Sequence, residues 1–451
     1  MDPNIFREYD IRGIVGHQLT DDAVAVLALA IGTFLGQNGA KRIAIGYDAR
    51  ESSPGFSELL TAGLNETGCD VVLIGRVPTP VLYHTVFTKD VDGGVMITGS
   101  HNPPDHNGFK ICLGKDALFG SQIQEIKGIA FAEKFESGTG TVDSIDVLDE
   151  YCRDIVSRTR VGSRKLKAVI DAGNGVGGVT AVPVFRELGI DLVELFTEPD
   201  STFPNHHADP TVEENLNDLI AAVRENKADV GIAFDGDGDR IGVVDENGRI
   251  IWGDELMVLI SRAVLAERTG STIIAEVKCS QTLFDDIEKH GGKPLMWKAG
   301  HSIIKAKMKE TGAVLAGEMS GHIFFADRFY GFDDATYAGA RVLEILSKTD
   351  KPLSALLADI PKTFSTPELR VACPDETKFD VVAKIAEYFA RDHEVITIDG
   401  ARINFEHGWG LVRPSNTQAI LVLRFEADYE ESLNKIRAEV EGKVSEFISN
   451  T

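Results

Sequence analysis

Strand and helix signals alternate in three successive blocks over the first three quarters of this 451-residue chain, an order that few architectures accommodate. Arg42-Ile43-Ala44-Ile45-Gly46-Tyr47 reads as a buried strand. It follows an apolar helical stretch over 21–37 that Thr20 or Asp21 can cap and Gly39 can end. Val71–Ile74 is the next strand, and Pro78 and Pro80 lead into a helix and then the strand Gly94–Ile97. This βαβ order implies a mostly parallel sheet with helices on both faces. The rhythm restarts near residue 166, after a charged stretch with Gly and Ser at 157–165. There strands 166–170, 192–195 and 230–234 alternate with helices 178–188 and 213–226. It restarts again near 254, where helices 254–268, 281–290 and 301–311 alternate with strands 272–277, 294–297 and 313–316. After Pro361 and Pro367 the character changes. Short β segments at 395–398, 403–405, 410–412 and 419–425 lie between helices 377–390 and 429–448, an antiparallel α+β pattern.

The expected class is therefore α/β: three related α/β domains with mixed sheets, at 1–150, 151–252 and 253–363, plus a smaller C-terminal α+β domain at 364–451. The length agrees, since a chain of this size splits into roughly three or four cores. A formal charge of −24 weighs against nucleic acid and anionic membrane as partners. It would also repel a phosphorylated substrate, so any anion site must be built from locally concentrated Arg, Lys and backbone N–H groups. No segment approaches the ~18 apolar residues a membrane span needs, and Met1-Asp2-Pro3-Asn4 does not open a signal peptide. Cys69, Cys112, Cys152, Cys279 and Cys373 lie far apart with no Cys-x-x-Cys pair, which points to reduced thiols in the cytoplasm.

Four loops carry the chemistry. Thr98-Gly99-Ser100-His101-Asn102-Pro103-Pro104 presents one hydroxyl, Ser100, at a strand end. Pro103 and Pro104 fix φ and remove two donors, Asn102 is restricted by the proline after it, and Gly99 allows backbone shapes that other residues resist. Phe234-Asp235-Gly236-Asp237-Gly238-Asp239-Arg240-Ile241 sets three carboxylates at alternate positions, with glycines that let the oxygens converge on a hard divalent cation. Glu246 falls at the twelfth position of an EF-hand counted from Asp235. Arg240 stands where that motif needs glycine, however, and the flanks read as strands. Three carboxylates leave coordination positions open, which suits Mg²⁺ sharing a phosphate oxygen.

Gly317-Glu318-Met319-Ser320-Gly321-His322 places a Glu and a Ser two apart on a Gly-bounded turn, suited either to capping or to adjacent sugar hydroxyls, with His322 available for proton transfer or phosphate contact. Gly408–Gln418 holds Arg413, a planar fork for phosphate, followed by the short donors Ser415, Asn416 and Thr417. No Walker-type Gly-rich loop occurs.

In order and spacing these loops resemble the signature set of the α-D-phosphohexomutases, most of all its bacterial phosphomannomutase/phosphoglucomutase branch. The resemblance spans the chain, from Phe6-Arg7-Glu8-Tyr9-Asp10-Ile11-Arg12-Gly13 to Arg413-Pro414-Ser415-Asn416-Thr417. It implies a four-domain enzyme around a central cleft that interconverts hexose 1-phosphate and hexose 6-phosphate, with mannose, glucose or both as sugar. Ser100 would carry the phosphoryl group, and Asp235, Asp237 and Asp239 would hold Mg²⁺ together with the seryl phosphate. Glu318 and Ser320 would bind the sugar's 3- and 4-hydroxyls. Arg413, Ser415, Asn416 and Thr417 would hold the phosphate that is not reacting. Tyr9, Arg12, Lys110, Arg240, Lys278, His301 and His322 would line the cleft, Arg12 and Arg240 beside the chemistry. Hexose 1,6-bisphosphate would be both intermediate and activator, phosphorylated hexoses the partners, and the molecule a monomer or weak homo-oligomer.

Lys110 and His322 are nominated as base and acid, in either order. A phosphate loop on a separate domain would let the bisphosphate turn end for end. Met319 departs from phosphoglucosamine mutases, which usually carry Gln there, and Pro414 and Gln418 depart from the usual phosphate loop. Phosphoglucosamine mutase, a phosphatase and a non-catalytic sugar-phosphate-binding protein are the rival readings.

Overall fold

The computed structural model describes residues 1–415 and 419–449, which build four β-sheets in chain order. The first runs Ile11–Ile14, His106–Leu113, Gly93–Ile97, Arg42–Tyr47, Asp70–Arg76, Val142–Ser144. Its last four strands are parallel, and the first two are antiparallel to their neighbours. The second runs Ile250–Ile251, Ile241–Asp245, Val230–Phe234, Lys167–Asp171, Asp191–Leu195, and the third Lys293–Trp297, Thr272–Glu276, Leu315–Gly317, Ile323–Phe325. The fourth is antiparallel, built on Ala401–Phe405, Gly408–Pro414 and Ile420–Ala427.

One arrangement recurs and places the site. In each of the first three sheets a parallel strand is followed by a loop and then by an antiparallel partner: Gly93–Ile97 with His106–Leu113, Val230–Phe234 with Ile241–Asp245, Leu315–Gly317 with Ile323–Phe325. Gly408–Pro414 and Ile420–Ala427 repeat it in the fourth. All four chemistry-bearing loops are thus hairpin connections, held at both ends by backbone hydrogen bonds. That is why the sheets are mixed, each parallel run closing on an antiparallel strand. The strands His106–Leu113 and Ile323–Phe325 escape a periodicity reading because Asn107-Gly108 and the two-phenylalanine run carry no clean alternation.

The helix over 21–37 forms as Asp21–Gln37, with Thr20 Oγ1 accepting from Ala23 N at 3.2 Å. Helices Ser53–Glu66, Ser121–Ala132, Leu148–Arg158 and Ala335–Ser347 add to those expected. Leu148–Arg158 runs into the first two residues of the charged stretch at 157–165, and its Tyr151, Cys152 and Ile155 pack in one core with Leu166 and Ala168. That core runs through Phe234 and Ile273 to Leu346, so the first three sheets share it. The C-terminal unit has its own core around Val381, Ile403 and Phe425. It meets the third sheet through Val277, Trp409 and Leu411 and through Arg402, which donates to Val277 O at 2.6 Å and Cys279 O at 2.8 Å.

Candidate active site

Ser100 sits at φ 48°, in the left-handed region. The unusual conformation belongs to the serine itself and not to Gly99, where the sequence suggests it. Gly99 is required for space: a Cβ there would lie 2.4 Å from the Arg50 guanidinium. Arg50 is 2% exposed and organises the loop. Its Nη2 donates to Ser100 O (2.8 Å) and Asn102 O (2.6 Å), and its Nη1 to Pro103 O (2.5 Å) and His106 O (2.8 Å). Its Nε donates to Asp48 Oδ2 at 3.2 Å, and the same oxygen accepts from Gly99 N at 3.1 Å. The Ser100 backbone is therefore held by a buried ion pair from the loop after the strand Arg42–Tyr47.

Ser100 Oγ donates to Asp235 Oδ2 at 2.9 Å, and His101 Nδ1 is 3.1 Å from the same hydroxyl. Burial, followed by the charges of Arg240 and Arg12, keeps His101 far below the usual histidine range, so its ring is neutral. The acidic loop fits against the serine loop because a Cβ on Gly236 would stand 2.4 Å from Ser100 O. Asp235, Asp237 and Asp239 are each 0% exposed. One carboxylate oxygen of each lies within 4.8 Å of the others. Thr79 Oγ1 donates to Asp237 Oδ2 at 2.5 Å, and Lys110 Nζ reaches Asp237 Oδ2 at 2.7 Å and Asp239 Oδ2 at 2.5 Å. Asp237 Oδ1 and Asp239 Oδ1 are buried with no hydrogen-bond partner among the described residues. An all-oxygen set of three carboxyl groups with unmet acceptors fits a hard divalent cation. Burial and then the two neighbouring carboxylates push Asp235 well above the usual carboxyl range. Burial opposes ionisation of Asp237 too, but the Lys110 ammonium holds it far below. The flanking strands exclude an EF-hand.

Asp239, His322 and Asp333 also converge within 4.8 Å. Arg240 Nε donates to His322 Nε2 at 3.0 Å, which leaves the imidazole proton on Nδ1, facing Asp333 Oδ2 at 3.0 Å. With the proton on Nδ1 that corner is a donor and not a cation ligand, and the cluster reads as a chain of polar contacts. Lys305 Nζ closes the chain on Asp333 Oδ1 at 2.8 Å. His301, the first residue of the helix His301–Thr311, stacks on His322 with centroids 5.6 Å apart, and Tyr9 meets His301 edge-on at 6.3 Å. The Tyr9 hydroxyl donates to Ala299 O at 3.0 Å.

Glu318 Oε1 accepts from Gly300 N at 2.8 Å, and Ser320 stands half-buried on the same turn. Arg12 joins Asp10 (2.5 Å) to Asn102 Oδ1 (3.0 Å). Lys278 Nζ is 3.0 Å from Glu368 Oε2 and 3.6 Å from Glu276 Oε1, and Arg413 Nη2 is 3.0 Å from Asp399 Oδ2. Ser415 follows Arg413, its carbonyl accepting from Lys378 Nζ at 2.5 Å; Asn416 and Thr417 lie outside the described residues. Lys110, remote from the acidic loop in sequence, comes to its centre because it sits on the antiparallel strand His106–Leu113. Sequence reasoning missed Asp48, Arg50, Thr79, Lys305, Asp333 and Asp399. Asp48-Ala49-Arg50 carried one usable signal, its place at the carboxyl end of a parallel strand. The others lie in no recognisable pattern.

Family models match along the chain: phosphoglucomutase/phosphomannomutase alpha/beta/alpha domain I over 3–137, domain II over 149–248, domain III over 252–364, and the C-terminal domain over 368–443. A phosphomannomutase/phosphoglucomutase of Pseudomonas putida is 46% identical, with 96% of this chain and 94% of that one aligned. A phosphoglucomutase of Neisseria meningitidis is 48% identical over 96% and 95% of the two chains. The crystal structure of a phosphoglucomutase/phosphomannomutase family protein from Burkholderia thailandensis superposes with a TM-score of 0.93 at 44% identity, covering 99% of this chain and 98% of that one. With four domain models in order and relatives of this identity over nearly its whole length, the chain belongs to the phosphoglucomutase/phosphomannomutase family.

Proposed function

We propose that the chain is an intramolecular phosphotransferase that interconverts hexose 1-phosphate and hexose 6-phosphate through a phosphoserine at Ser100 and a hexose 1,6-bisphosphate. The observation that carries this is the Ser100 hydroxyl, 2.9 Å from Asp235 and fixed at the mouth of three buried carboxylates. A plain sugar-phosphate binder has no need to hold a serine in the left-handed region against such a set. Asp235, Asp237 and Asp239 would hold Mg²⁺, which when bound draws charge from the seryl phosphate. The protein's own work is positioning and charge neutralisation, because phosphoryl transfer passes through a loose transition state.

In the forward half-reaction the bond from phosphorus to Ser100 Oγ breaks and one to the sugar hydroxyl forms. The hydroxyl proton leaves to a base, and an acid protonates the seryl oxygen. Lys110 is held protonated: burial works against its charge, yet Asp237 and Asp239 raise its pKa strongly, so it serves as a fixed positive charge more readily than as a proton donor. His322, the other nominee, accepts from Arg240 Nε at Nε2, while its Nδ1 stands 3.0 Å from Asp333 Oδ2. Neutral His101, 3.1 Å from Ser100 Oγ, is the nearer acceptor. Arg240 and Arg12 supply charge beside the serine. Glu318 and Ser320 take the sugar hydroxyls, Tyr9 and His301 form a wall, and Lys278, Arg413, Ser415, Asn416 and Thr417 grip the remote phosphate. We place the domain limits at 150, 252 and 363.

The mannose/glucose preference draws support from the names of the aligned relatives and from Met319, against phosphoglucosamine mutase. Five free buried cysteines suit a reducing, cytoplasmic setting. The test is ³¹P NMR with Mg²⁺, catalytic glucose 1,6-bisphosphate and, in separate tubes, the 1-phosphates of mannose, glucose and glucosamine. Conversion of the first two to 6-phosphates, lost in Ser100→Ala, supports the reading. Conversion of glucosamine 1-phosphate alone moves the chain to the rival branch, and turnover that survives Ser100→Ala refutes the phosphoserine.

A further inference from the structure

The cations assigned to the remote phosphate are already occupied. Asp399 Oδ2 stands 3.0 Å from Arg413 Nη2 and accepts from Ala299 N at 3.1 Å, so one carboxylate oxygen ties the C-terminal sheet to the turn that begins the helix His301–Thr311. Lys278 is met in the same way by Glu368, at 3.0 Å. Both carboxylates come from the C-terminal unit, and both cations belong to the proposed phosphate grip.

Three details show that the Asp399 contact is built and yet incomplete. Gly400 has φ 97°, and a Cβ there would lie 2.5 Å from Val412 O and 2.7 Å from Arg413 Cα, so only glycine lets the Asp399 turn press onto Arg413. The Asp399 and Arg413 side chains are each only 11% exposed, which removes most of the competition from water. Arg413 Nε shares one edge of the guanidinium with Nη2, and it is buried without a hydrogen-bond partner among the described residues. A fork of this kind takes an oxyanion through both edge donors. Asp399 satisfies one of them and leaves the other unmet, which is costly when buried. A phosphate, with three oxygens in tetrahedral array, can satisfy both and can also take the Ala299 N–H at the start of a helix.

We propose that Asp399 is a placeholder for the substrate's non-reacting phosphate, holding Arg413 and Ala299 N in place until the phosphate displaces it. The inference rests on the reading of Arg413 as a phosphate grip. Each ligand must break the Asp399 pair before it gains its own, so the placeholder lowers apparent affinity and helps a bound product to leave. Asp399 is a positioning residue with a sign: its loss tightens phosphate binding, whereas loss of a residue that merely braces Arg413 would weaken it.

The experiment is calorimetric titration of glucose 1-phosphate and of inorganic phosphate into the full chain carrying Ser100→Ala, which blocks turnover, with and without Arg413→Ala, Asp399→Asn or both. The expected result is a loss of about tenfold or more for Arg413→Ala and a gain of about threefold or more for Asp399→Asn, the gain vanishing in the double variant. With Ser100 restored, Asp399→Asn should lower KM, and kcat should fall if product release limits it. Weaker or unchanged binding in Asp399→Asn, with Arg413→Ala impaired, overturns the placeholder and leaves the grip reading standing. Undiminished binding in Arg413→Ala overturns both. If Asp399→Asn does not fold, Asp399→Ser, which keeps a short acceptor for Ala299 N, is read by the same criterion, and Glu368→Gln must tighten binding in parallel.

Discussion

Arg50→Lys separates the positioning of Ser100 from its chemistry. The Arg50 guanidinium uses all five of its N–H groups, one on Asp48 and four on the carbonyls of Ser100, Asn102, Pro103 and His106. A lysine keeps the charge but offers three donors, so at least two of these acceptors lose their partner. An orphaned buried acceptor costs about 1–3 kcal/mol. Pro103 is exposed and His106 half-buried, so water reaches part of the vacated space, and we take the lower end, about 2–3 kcal/mol in all. The left-handed conformation of Ser100 itself costs roughly 1–2 kcal/mol, which the clamp now sustains. Once it loosens, the serine relaxes toward an ordinary backbone region and its hydroxyl leaves the position beside Asp235. A loss of about 2 kcal/mol in the positioned state corresponds to roughly thirtyfold in rate. The assay is intact-mass spectrometry of Ser100 phosphorylation after mixing with glucose 1,6-bisphosphate and Mg²⁺, followed in time beside a thermal melt. We expect slower phosphorylation, a lowered Tm and a Km for hexose phosphate within about twofold of the parent, because no phosphate-gripping group is touched. Parental phosphorylation kinetics in Arg50→Lys would refute the reasoning, whatever the melt shows.

Two further outcomes follow from buried carboxylates. Arg240, donating to Nε2, and Asp333, an anion 3.0 Å from Nδ1, together favour one tautomer of His322; Asp333→Asn should weaken that preference and lower kcat by about ten- to a hundredfold with little change in KM. Imidazole ¹⁵N NMR then shows loss of the single tautomer, and an unchanged tautomer with unchanged kcat would sink the assignment. Asp334, which caps the helix Ala335–Ser347 and accepts from the Tyr151 hydroxyl at 2.8 Å, is pushed up by burial to about 7. Between its ordinary value and about 7 the folded chain holds a proton that the unfolded chain releases, so this group's contribution to stability falls as pH rises through that window. The slope is at most about 1.4 kcal/mol per pH unit. Asp334→Asn should flatten it in melts taken from pH 4.5 to 7.5. Parallel pH profiles for variant and parent would contradict the assignment.

The legibility of the fold follows from where periodicity survives. Thr20 as cap, Asp21–Gln37 as helix and Arg42–Tyr47 as strand could be read locally, because caps and apolar runs declare themselves within a few residues. Ala335–Ser347 could not: all but one of its residues are buried, so no polar face marks a helical period. The site divides the same way. The Asp235–Asp239 loop is legible because its residues are consecutive and chemically redundant. Arg50 and Asp333 are illegible because each meets a partner far along the chain, Ser100 about fifty positions from Arg50 and Asp239 about ninety from Asp333, and a single arginine or aspartate has no local signature. Ser100 lies between these cases: its prolines announce a rigid loop, but the clamp that Arg50 adds to it has no local signature.

Net charge gives the last step. A chain of charge −24 that binds phosphorylated sugars would be expected to line its cleft with bare cations. It does the opposite. Arg12 is paired with Asp10, Arg50 with Asp48, Lys110 with Asp237 and Asp239, Lys278 with Glu368, Lys305 with Asp333 and Arg413 with Asp399. Entry of a substrate is then an exchange of anions and not a simple neutralisation. A neutral hexose has nothing with which to displace a carboxylate, so it leaves every pair intact and gains only the hydroxyl contacts. A phosphate dianion displaces one carboxylate at a time and leaves behind a freed aspartate or glutamate that repels the next anion. Selectivity for the phosphorylated sugar is thus set by the carboxylates as much as by the cations, and a chain stripped of Asp399 and Glu368 should hold phosphate more tightly and turn it over less well.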